Sequence, residues 1–360
     1  MEKKTFSGKN IIRGMMYLIG FIISLLILLV LYLTLTEYKP DKVTSLVIDY
    51  ADTIEVPAKS PLKIVSFNIG YGGLGEEEDF FMDGGKKASP DSKEVVEKNL
   101  AGIAETLKDI NADFHLLQEV DKDSKRSFYI DQQDYLQDQV LGSPSFYAEN
   151  YKVNFVPIPF PPMGKVDSGL ITSAKYNVSE ADRVSLYVPF KWPVRIANLK
   201  RSLLVTRLPV ENSDQELVLI NLHLEAYDDS GGREKQTKEL MELMETEQAK
   251  GNYVIAGGDF NQSFFPLEDL PYEASEDQWE PGLLDQNLFS DDFHILRDEN
   301  MTPTCRSNHI AYTAYEGKKY FYYIDGFIVS DNVNVETIKV YDQNFKFSDH
   351  NPVVLEFSLK

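Results

Sequence analysis

A single cysteine, Cys305, stands among 360 residues, which excludes an internal disulfide and any zinc cluster built on cysteines. Basic residues are also scarce: 36 Lys and Arg face 57 Asp and Glu, for a formal charge of −21. The first 36 residues hold Lys3, Lys4, Lys9 and Arg13 against Glu2, so the remainder carries −24. Such a body repels polyanions over a Debye length of ~8 Å at physiological salt, which argues against tight, non-specific duplex binding. A phosphate-bearing substrate stays open, because a bound divalent cation reverses the potential locally. No Gly-x-Gly-x-x-Gly opens a helix, which disfavours a doubly wound nucleotide fold. Internal repeats and heptads are missing, and so is any second long apolar run.

The one long apolar run lies near the start. Residues 14–36 form 23 positions without a charge; at ~1.5 Å each they reach ~35 Å as a helix, enough for a ~30 Å hydrocarbon core. A cleavable signal peptide is the rival reading, but the run exceeds the usual ~7–15 residues and no small-residue cleavage site follows. The segment therefore reads as an uncleaved anchor. All its positive residues precede the span, which puts residues 1–13 in the cytoplasm and the body outside the cell membrane. Residues 37–61, with Pro40, Pro57 and Pro61, read as a tether to one domain over 62–360.

Within that domain, short apolar runs alternate with helical spacing. Strands are expected at 62–67, 114–117, 169–172, 202–206, 217–221, 253–256, 321–329 and 353–357. Helices are expected at 95–110 and at 233–250, the second stopped by Gly251. Strand, helix and strand in this order indicate an α/β layered domain. A Gly-rich loop at 75–91 is expected on the surface, a turn at 228–232, and an acidic, aromatic loop at 264–300. Two proline-rich apolar segments, 155–162 and 186–193, cannot be interior helix or central strand; they are expected to be buried loop packing, with a substrate wall or a membrane-facing lip as the exposed alternative.

The most informative stretch is 252–262, Asn-Tyr-Val-Ile-Ala-Gly-Gly-Asp-Phe-Asn-Gln. An apolar strand meets Gly257 and Gly258, which permit a sharp turn and close approach of a ligand. Asp259 and Asn261 follow two apart, on one side of an extended chain. That Asp can orient or deprotonate a water, and the amide can steady charge on a phosphoryl oxygen. Other polar groups recur beside apolar strands: Asn68, Glu119, His223, Asp325, Asp349 and His350. If one side of a sheet gathers them, Glu119 and Asp349, helped by Asn68, supply hard oxygen ligands suited to Mg²⁺ or Mn²⁺. His350 can act as a base if Asp325 orients its other ring nitrogen. His223 and Asn261 can donate to phosphate oxygens. His115, His294 and His309 are read as structural.

Six motifs together carry a resemblance: Ser66-Phe-Asn-Ile, Leu117-Gln-Glu-Val, Asn221-Leu-His-Leu, Gly257-Gly-Asp-Phe-Asn, Tyr323-Ile-Asp-Gly-Phe and Ser348-Asp-His-Asn-Pro. In this order they resemble the motifs of the endonuclease/exonuclease/phosphatase superfamily, which includes deoxyribonucleases, apurinic endonucleases, neutral sphingomyelinases and inositol polyphosphate phosphatases. The resemblance implies two packed β-sheets flanked by helices, a four-layer sandwich. It further implies that Glu119 is the principal metal ligand, with Asn68 and Asp349 in the same site. Asp259 then matches the water-activating aspartate, Asn261 the phosphate-contacting asparagine, and Asp325 with His350 the paired Asp–His; His223 falls where several members have histidine. One departure is Tyr320-Phe-Tyr-Tyr, which stands where a basic residue is more usual beside Ile-Asp. The expectation is a membrane-anchored, Mg²⁺- or Mn²⁺-dependent phosphoester hydrolase, with a phospholipid headgroup as favoured substrate. An extracellular nuclease or an inositol-phosphate phosphatase is the alternative, and a catalytically silent binding domain is the non-enzyme reading.

Overall fold

Period-two burial explains the strands. In residues 62–68, Leu62 and Ile64 point to one hydrophobic cluster while Val65 and Phe67 point to another. In residues 216–223, Leu217 and Leu219 likewise face away from Val218, Ile220 and Leu222. Strands buried on both faces need a layer on each side. A computed structural model supplies those layers; it describes residues 8–48, 54–142, 144–227, 231–266, 270, 279–314 and 320–360.

The chain opens with helix α1 (Gly8–Leu35), then β1 (Val43–Ser45), β2 (Leu62–Asn68), α2 (Lys93–Ile110), β3 (Phe114–Asp121) and the short α3 (Gln132–Leu136). It continues through β4 (Ser145–Val156), β5 (Gly164–Ala174), β6 (Glu180–Ser185), β7 (Ser202–Pro209), β8 (Glu216–His223), α4 (Gly232–Gln248) and β9 (Tyr253–Asp259). Short strands β10 (Gln262–Ser263), β11 (Gly282–Leu283), β12 (Phe293–Leu296), β13 (Cys305–Arg306) and β14 (Phe321–Tyr322) follow. The last three are β15 (Asp325–Ser330), β16 (Val333–Val340) and β17 (Val353–Leu359).

Two large mixed sheets form, ordered β1-β6-β7-β8-β9-β15-β12 and β16-β17-β2-β3-β5-β4. Ile64, Phe114, Leu116, Leu219, Ile255 and Phe327 are among the residues packed between them. Helix α2 covers the outer face of the six-stranded sheet through Val96, Leu100, Ile103 and Leu107. Helix α4 covers the other sheet through Leu240 and Met244. This is the expected four-layer sandwich, and each fully buried Leu or Val in it contributes about 1.5–3 kcal/mol. Asn221 stitches the sheets together from β8: its Oδ1 accepts from Gln118 Nε2 at 2.8 Å, and its Nδ2 donates to the Leu117 and Ile171 carbonyls.

Several expectations change. The tether is not free: β1 pairs with β6, and Val56 bridges to Val210 and is fully buried. Residues 49–53, most of the predicted turn at 228–232, much of the acidic loop and residues 1–7 lie outside the described residues. The predicted strand 321–329 is two strands, because β14 pairs with β13 while β15 pairs with β9 and β12. Gly257 and Gly258 make room for protein instead of a ligand. A Cβ at Gly257 would lie 2.5 Å from Phe327 and 3.0 Å from Leu116, and one at Gly258 (φ +154°) would strike the Leu222 carbonyl.

The two proline-rich segments are not buried packing. Phe160 is 96% exposed, and Ile158 and Trp192 are more than half exposed. The loop at 75–91 keeps to the surface, with only Gly75, Glu78 and Pro90 buried, and its Phe80, Phe81 and Asp83 also line the central cleft. Helix α1 is, among the described residues, the one helix long and apolar enough to cross a membrane.

Candidate active site

One end of the sandwich collects the polar groups. Parallel pairing of β2 with β3 and of β8 with β9 brings Asn68, His223 and Asp259 to the same edge as strand C-terminal residues. Antiparallel β15 and β17 bring their starts to that edge, so Asp325 opens a strand and Asp349 and His350 precede one. Asp325 pairs directly with Asp259 across the ladder. Glu119 lies inside β3 and not beyond its end; a bulge between Leu117 and Val120, with Glu119 at φ +52°, turns its side chain towards the edge.

All eight expected residues fall in this one region. Asn68 Nδ2 donates to Asp259 Oδ2 at 3.0 Å and to Glu119 Oε1 at 3.3 Å, and lies 3.4 Å from His350 Nε2. His350 Nδ1 donates to Asp325 Oδ2 at 2.9 Å. His223 Nε2 is 3.4 Å and His350 Nε2 3.8 Å from Asp259 Oδ2. Asn261 departs from the extended geometry expected of it: at φ +50° it donates its backbone N–H to Asp259 Oδ1 and its Nδ2 to the Leu224 carbonyl, each at 2.9 Å. Glu119, His223, Asp259, Asn261, Asp349 and His350 line a cleft of about 680 Å³; Asn68 and Asp325 sit behind this lining.

Burial and neighbouring charge set the protonation states. Burial and the facing Asp325 raise the Asp259 carboxyl well above the usual carboxylate range, against the pull of His350 and Asn68. Burial disfavours a charged His350, but Asp325, aided by Cys305 and Asp349, outweighs it and holds that imidazole well above its ordinary value. His223 goes the other way, because burial and then Arg201 keep it neutral. Glu119 is raised by burial and by Asp349, with Arg126 opposing.

The donor set suits a divalent cation. Among the described residues, two side-chain groups bring ligand atoms within 4.8 Å of one another: Asp259, Asp325 and His350, and Cys305, Asp349 and His350. Glu119 is outside both and joins them through Asn68. Asn68 turns its Nδ2 to the acids and its Oδ1 to the Gly70 N–H, so it ligates only with its amide turned over. Asn308 offers a further oxygen: its Nδ2 donates to Asp349 Oδ2 at 2.6 Å, and its buried Oδ1 has no partner. Clustered carboxylates and a free amide oxygen fit a hard cation.

Sequence reading missed several members of this neighbourhood. Asn308, Cys305 and Asp83 lie in segments without strand periodicity. Arg126, Arg201 and Arg306 line the cleft and provide the positive charge that Tyr320-Phe-Tyr-Tyr lacks. Arg126 was legible in principle, since an arginine five residues after the buried Asp121 suits a local pair.

The sequence profile described as the Endonuclease/Exonuclease/phosphatase family matches residues 65–350. The chain belongs to that family. Solved structures with the same fold include an endonuclease/exonuclease/phosphatase from Beutenbergia cavernae (17% identity, 83% of this chain and 72% of that one, TM-score 0.55). Another comes from Bacteroides vulgatus (14% identity, 84% and 100%, TM-score 0.53). A third is D. rerio TDP2 complexed with a single-strand DNA product (14% identity, 83% and 99%, TM-score 0.53). At such identities the likeness concerns the fold. No curated protein matches the chain in sequence.

Proposed function

We propose that the protein is a membrane-anchored hydrolase of phosphodiester bonds, dependent on Mg²⁺ or Mn²⁺, which faces outward and acts on a phospholipid headgroup. The observation that carries this reading is the unbroken chain of contacts Asp325–His350–Asn68–Asp259, which spans both sheets and opens on one cleft. Held by Glu119 and Asp349, with an amide oxygen of Asn308 or a turned Asn68, the cation would neutralise phosphoryl oxygens and the departing oxygen.

The chain's own residues account for the rest. Asp259, with its carboxyl raised towards neutrality, takes a proton from the attacking water. Its Oδ1 is fixed by the Asn261 N–H, which leaves Oδ2, held by Asn68 and 3.4 Å from His223 Nε2, as the oxygen beside the histidines. His350, kept charged by Asp325, and neutral His223 donate hydrogen bonds to oxygens where negative charge grows. Arg201 is buried, its Nε has no hydrogen-bond partner, and it lies 3.9 Å from Glu225; it adds positive charge along the phosphate's approach. The apolar, exposed segments around Phe160 and Trp192 favour a lipid, and the −24 body disfavours a nucleic acid.

The test is turnover by the full chain in detergent of sphingomyelin, lysophospholipid, DNA, RNA and inositol phosphates, with Mg²⁺ and then with chelator. Metal-dependent release from a lipid is expected, and Asp259→Asn and His350→Ala should each lose at least about a thousandfold with folding intact. Full activity in both variants would remove the assignment; preference for DNA or RNA would replace the lipid with a nucleic acid.

A further inference from the structure

The wall of the cleft does not end with the catalytic domain. Leu26, Leu29, Val30 and Leu33 of α1 line the same cavity as Asp259 and His350. Their spacing of three, four and seven places them on one stripe of the helix. The last turn of that stripe is fastened down. Leu33 is 4% exposed and packs with Val153, Val156, Met163 and Ile196. Trp192 Nε1 donates to Thr34 Oγ1 at 3.1 Å. Just beyond the helix, buried Glu37 accepts from Arg195 Nε at 2.9 Å and Nη2 at 3.3 Å, with Lys200 3.6 Å away.

A tether needs no such clamp. The clamp fixes only the end of the helix, and one turn or two earlier the stripe is uncovered: Leu29 and Val30 are half-buried and Leu26 is 55% exposed. The uncovered part continues into the cleft on one side and into the membrane-spanning length of α1 on the other. Ile158 and Val194, both more than half exposed, line the cleft as well, and exposed Trp192 holds Thr34 of the same helix. An apolar channel that runs from a phosphate-handling site to a bilayer-spanning helix is matched by one kind of molecule. Its phosphate sits at the membrane surface and its hydrocarbon is already beside the helix.

We propose that α1 is part of the substrate site: one hydrocarbon chain of a bilayer phospholipid lies along Leu26, Leu29, Val30 and Leu33 while its phosphodiester reaches Asp259 and His350. The proposal rests on the membrane-anchored phosphohydrolase reading and deepens it. The anchor then selects substrate as well as location. Water-soluble phosphodiesters gain nothing from the stripe, whereas each methylene laid on it is worth about fourfold in binding.

A matched pair of diesters isolates this effect: dodecyl 4-nitrophenyl phosphate and ethyl 4-nitrophenyl phosphate. In both, the oxygen of water forms a new bond to phosphorus, the bond from phosphorus to the nitrophenyl oxygen breaks, and 4-nitrophenolate leaves while the water's proton passes to the base. Only the chain differs. With the full protein in phospholipid nanodiscs and Mg²⁺, the ratio of kcat/KM for dodecyl over ethyl is measured in Leu29→Trp and Val30→Trp, which overfill the stripe. A Leu28→Trp control lies at the same depth on a face 59% exposed and outside the cleft.

Loss of contact with two methylenes should lower the ratio at least about tenfold in the two stripe variants and leave it unchanged in the control. The doubly trimmed Leu29→Ala/Val30→Ala chain should shift it in the same direction, which keeps the test open if a tryptophan prevents folding. An unchanged ratio in the stripe variants, or an equal fall in the control, overturns the proposal. Hydrolysis of the ethyl ester without preference for the dodecyl ester overturns it alone; hydrolysis of neither overturns the phosphohydrolase reading beneath it.

Discussion

Removing either member of the buried Arg126–Asp121 pair should destabilise the domain at least about as much as removing both. Arg126 Nε and Nη2 reach Asp121 Oδ2 and Oδ1 at 3.0 and 2.9 Å, and Ser127 Oγ adds a bond at 2.9 Å. Asp121 is fully buried and Arg126 5% exposed. The guanidinium also stacks over the Tyr71 ring at 3.8 Å and donates to Ser168 Oγ. Burial disfavours the charged guanidinium, but the facing Asp121 carboxylate outweighs it and keeps Arg126 charged under all working conditions. Arg126→Met therefore strands a desolvated carboxylate, and Asp121→Asn strands a desolvated guanidinium. Each should cost about 3–5 kcal/mol.

The double variant Asp121→Asn/Arg126→Met strands neither, so it should be no less stable than the worse single variant. That outcome amounts to a coupling of about 3 kcal/mol. Urea midpoints of the full chain at fixed detergent concentration, read by tryptophan fluorescence, give all four corners of the cycle. A thermal scan should show each single variant about 10 °C below the parent. If the two single effects add to within about 0.5 kcal/mol, the pair is not coupled and the electrostatic account of this corner fails.

Two further outcomes are expected. His115 is buried, and burial with Lys175 nearby pushes its pKa down to about 4 from an ordinary 6.5. A histidine depressed in the folded state contributes full stability above pH 6.5 and loses it as the pH falls through 4, since the unfolded chain protonates first. The loss should approach about 3 kcal/mol, and His115→Gln should flatten urea midpoints between pH 6.5 and 4; an unaltered slope would show that His115 is not the group titrating. Asn308→Leu removes the 2.6 Å bond to Asp349 and the free Oδ1. It should raise the Mg²⁺ concentration for half-maximal turnover about 10- to 100-fold, and an unchanged titration would remove Asn308 from the metal site.

Most motifs of the candidate site were legible because they sit where an apolar run stops. Asn68, His223 and Asp259 end apolar strands that are buried almost throughout, Leu62–Asn68, Glu216–His223 and Tyr253–Asp259. Glu119 was placed beyond its strand because a bulge leaves no mark in apolar spacing. Asn308 and Cys305 escaped for another reason: one reaches the site from irregular chain and the other from a strand of two residues, too short for any period to show. The proline-rich loops were read as buried on the premise that apolar side chains flee water. That premise fails where the neighbour is a helix long and apolar enough for a bilayer, and exposed Trp192 bonds to Thr34 of that helix.

The pairing of Asp259 with Asp325 across the ladder argues most directly for a function in this cleft. Like charges directly opposite on neighbouring strands destabilise a sheet, and burial deepens the penalty. A sequence selected for stability alone would place a carboxylate beside a hydroxyl or an amide there. Here the repulsion is met from outside the strand pair, by Asn68 on Asp259 and His350 on Asp325, side chains from the opposite sheet and from the turn before β17. The compensation holds only while all four residues are in place, so the fold's stability at this edge depends on the integrity of the site. Local rules of strand pairing are broken where Asp325 faces Asp259 at the edge that carries the site, and they hold along the remaining apolar register of the same two strands, from Phe327 opposite Gly257 to Val329 opposite Ile255.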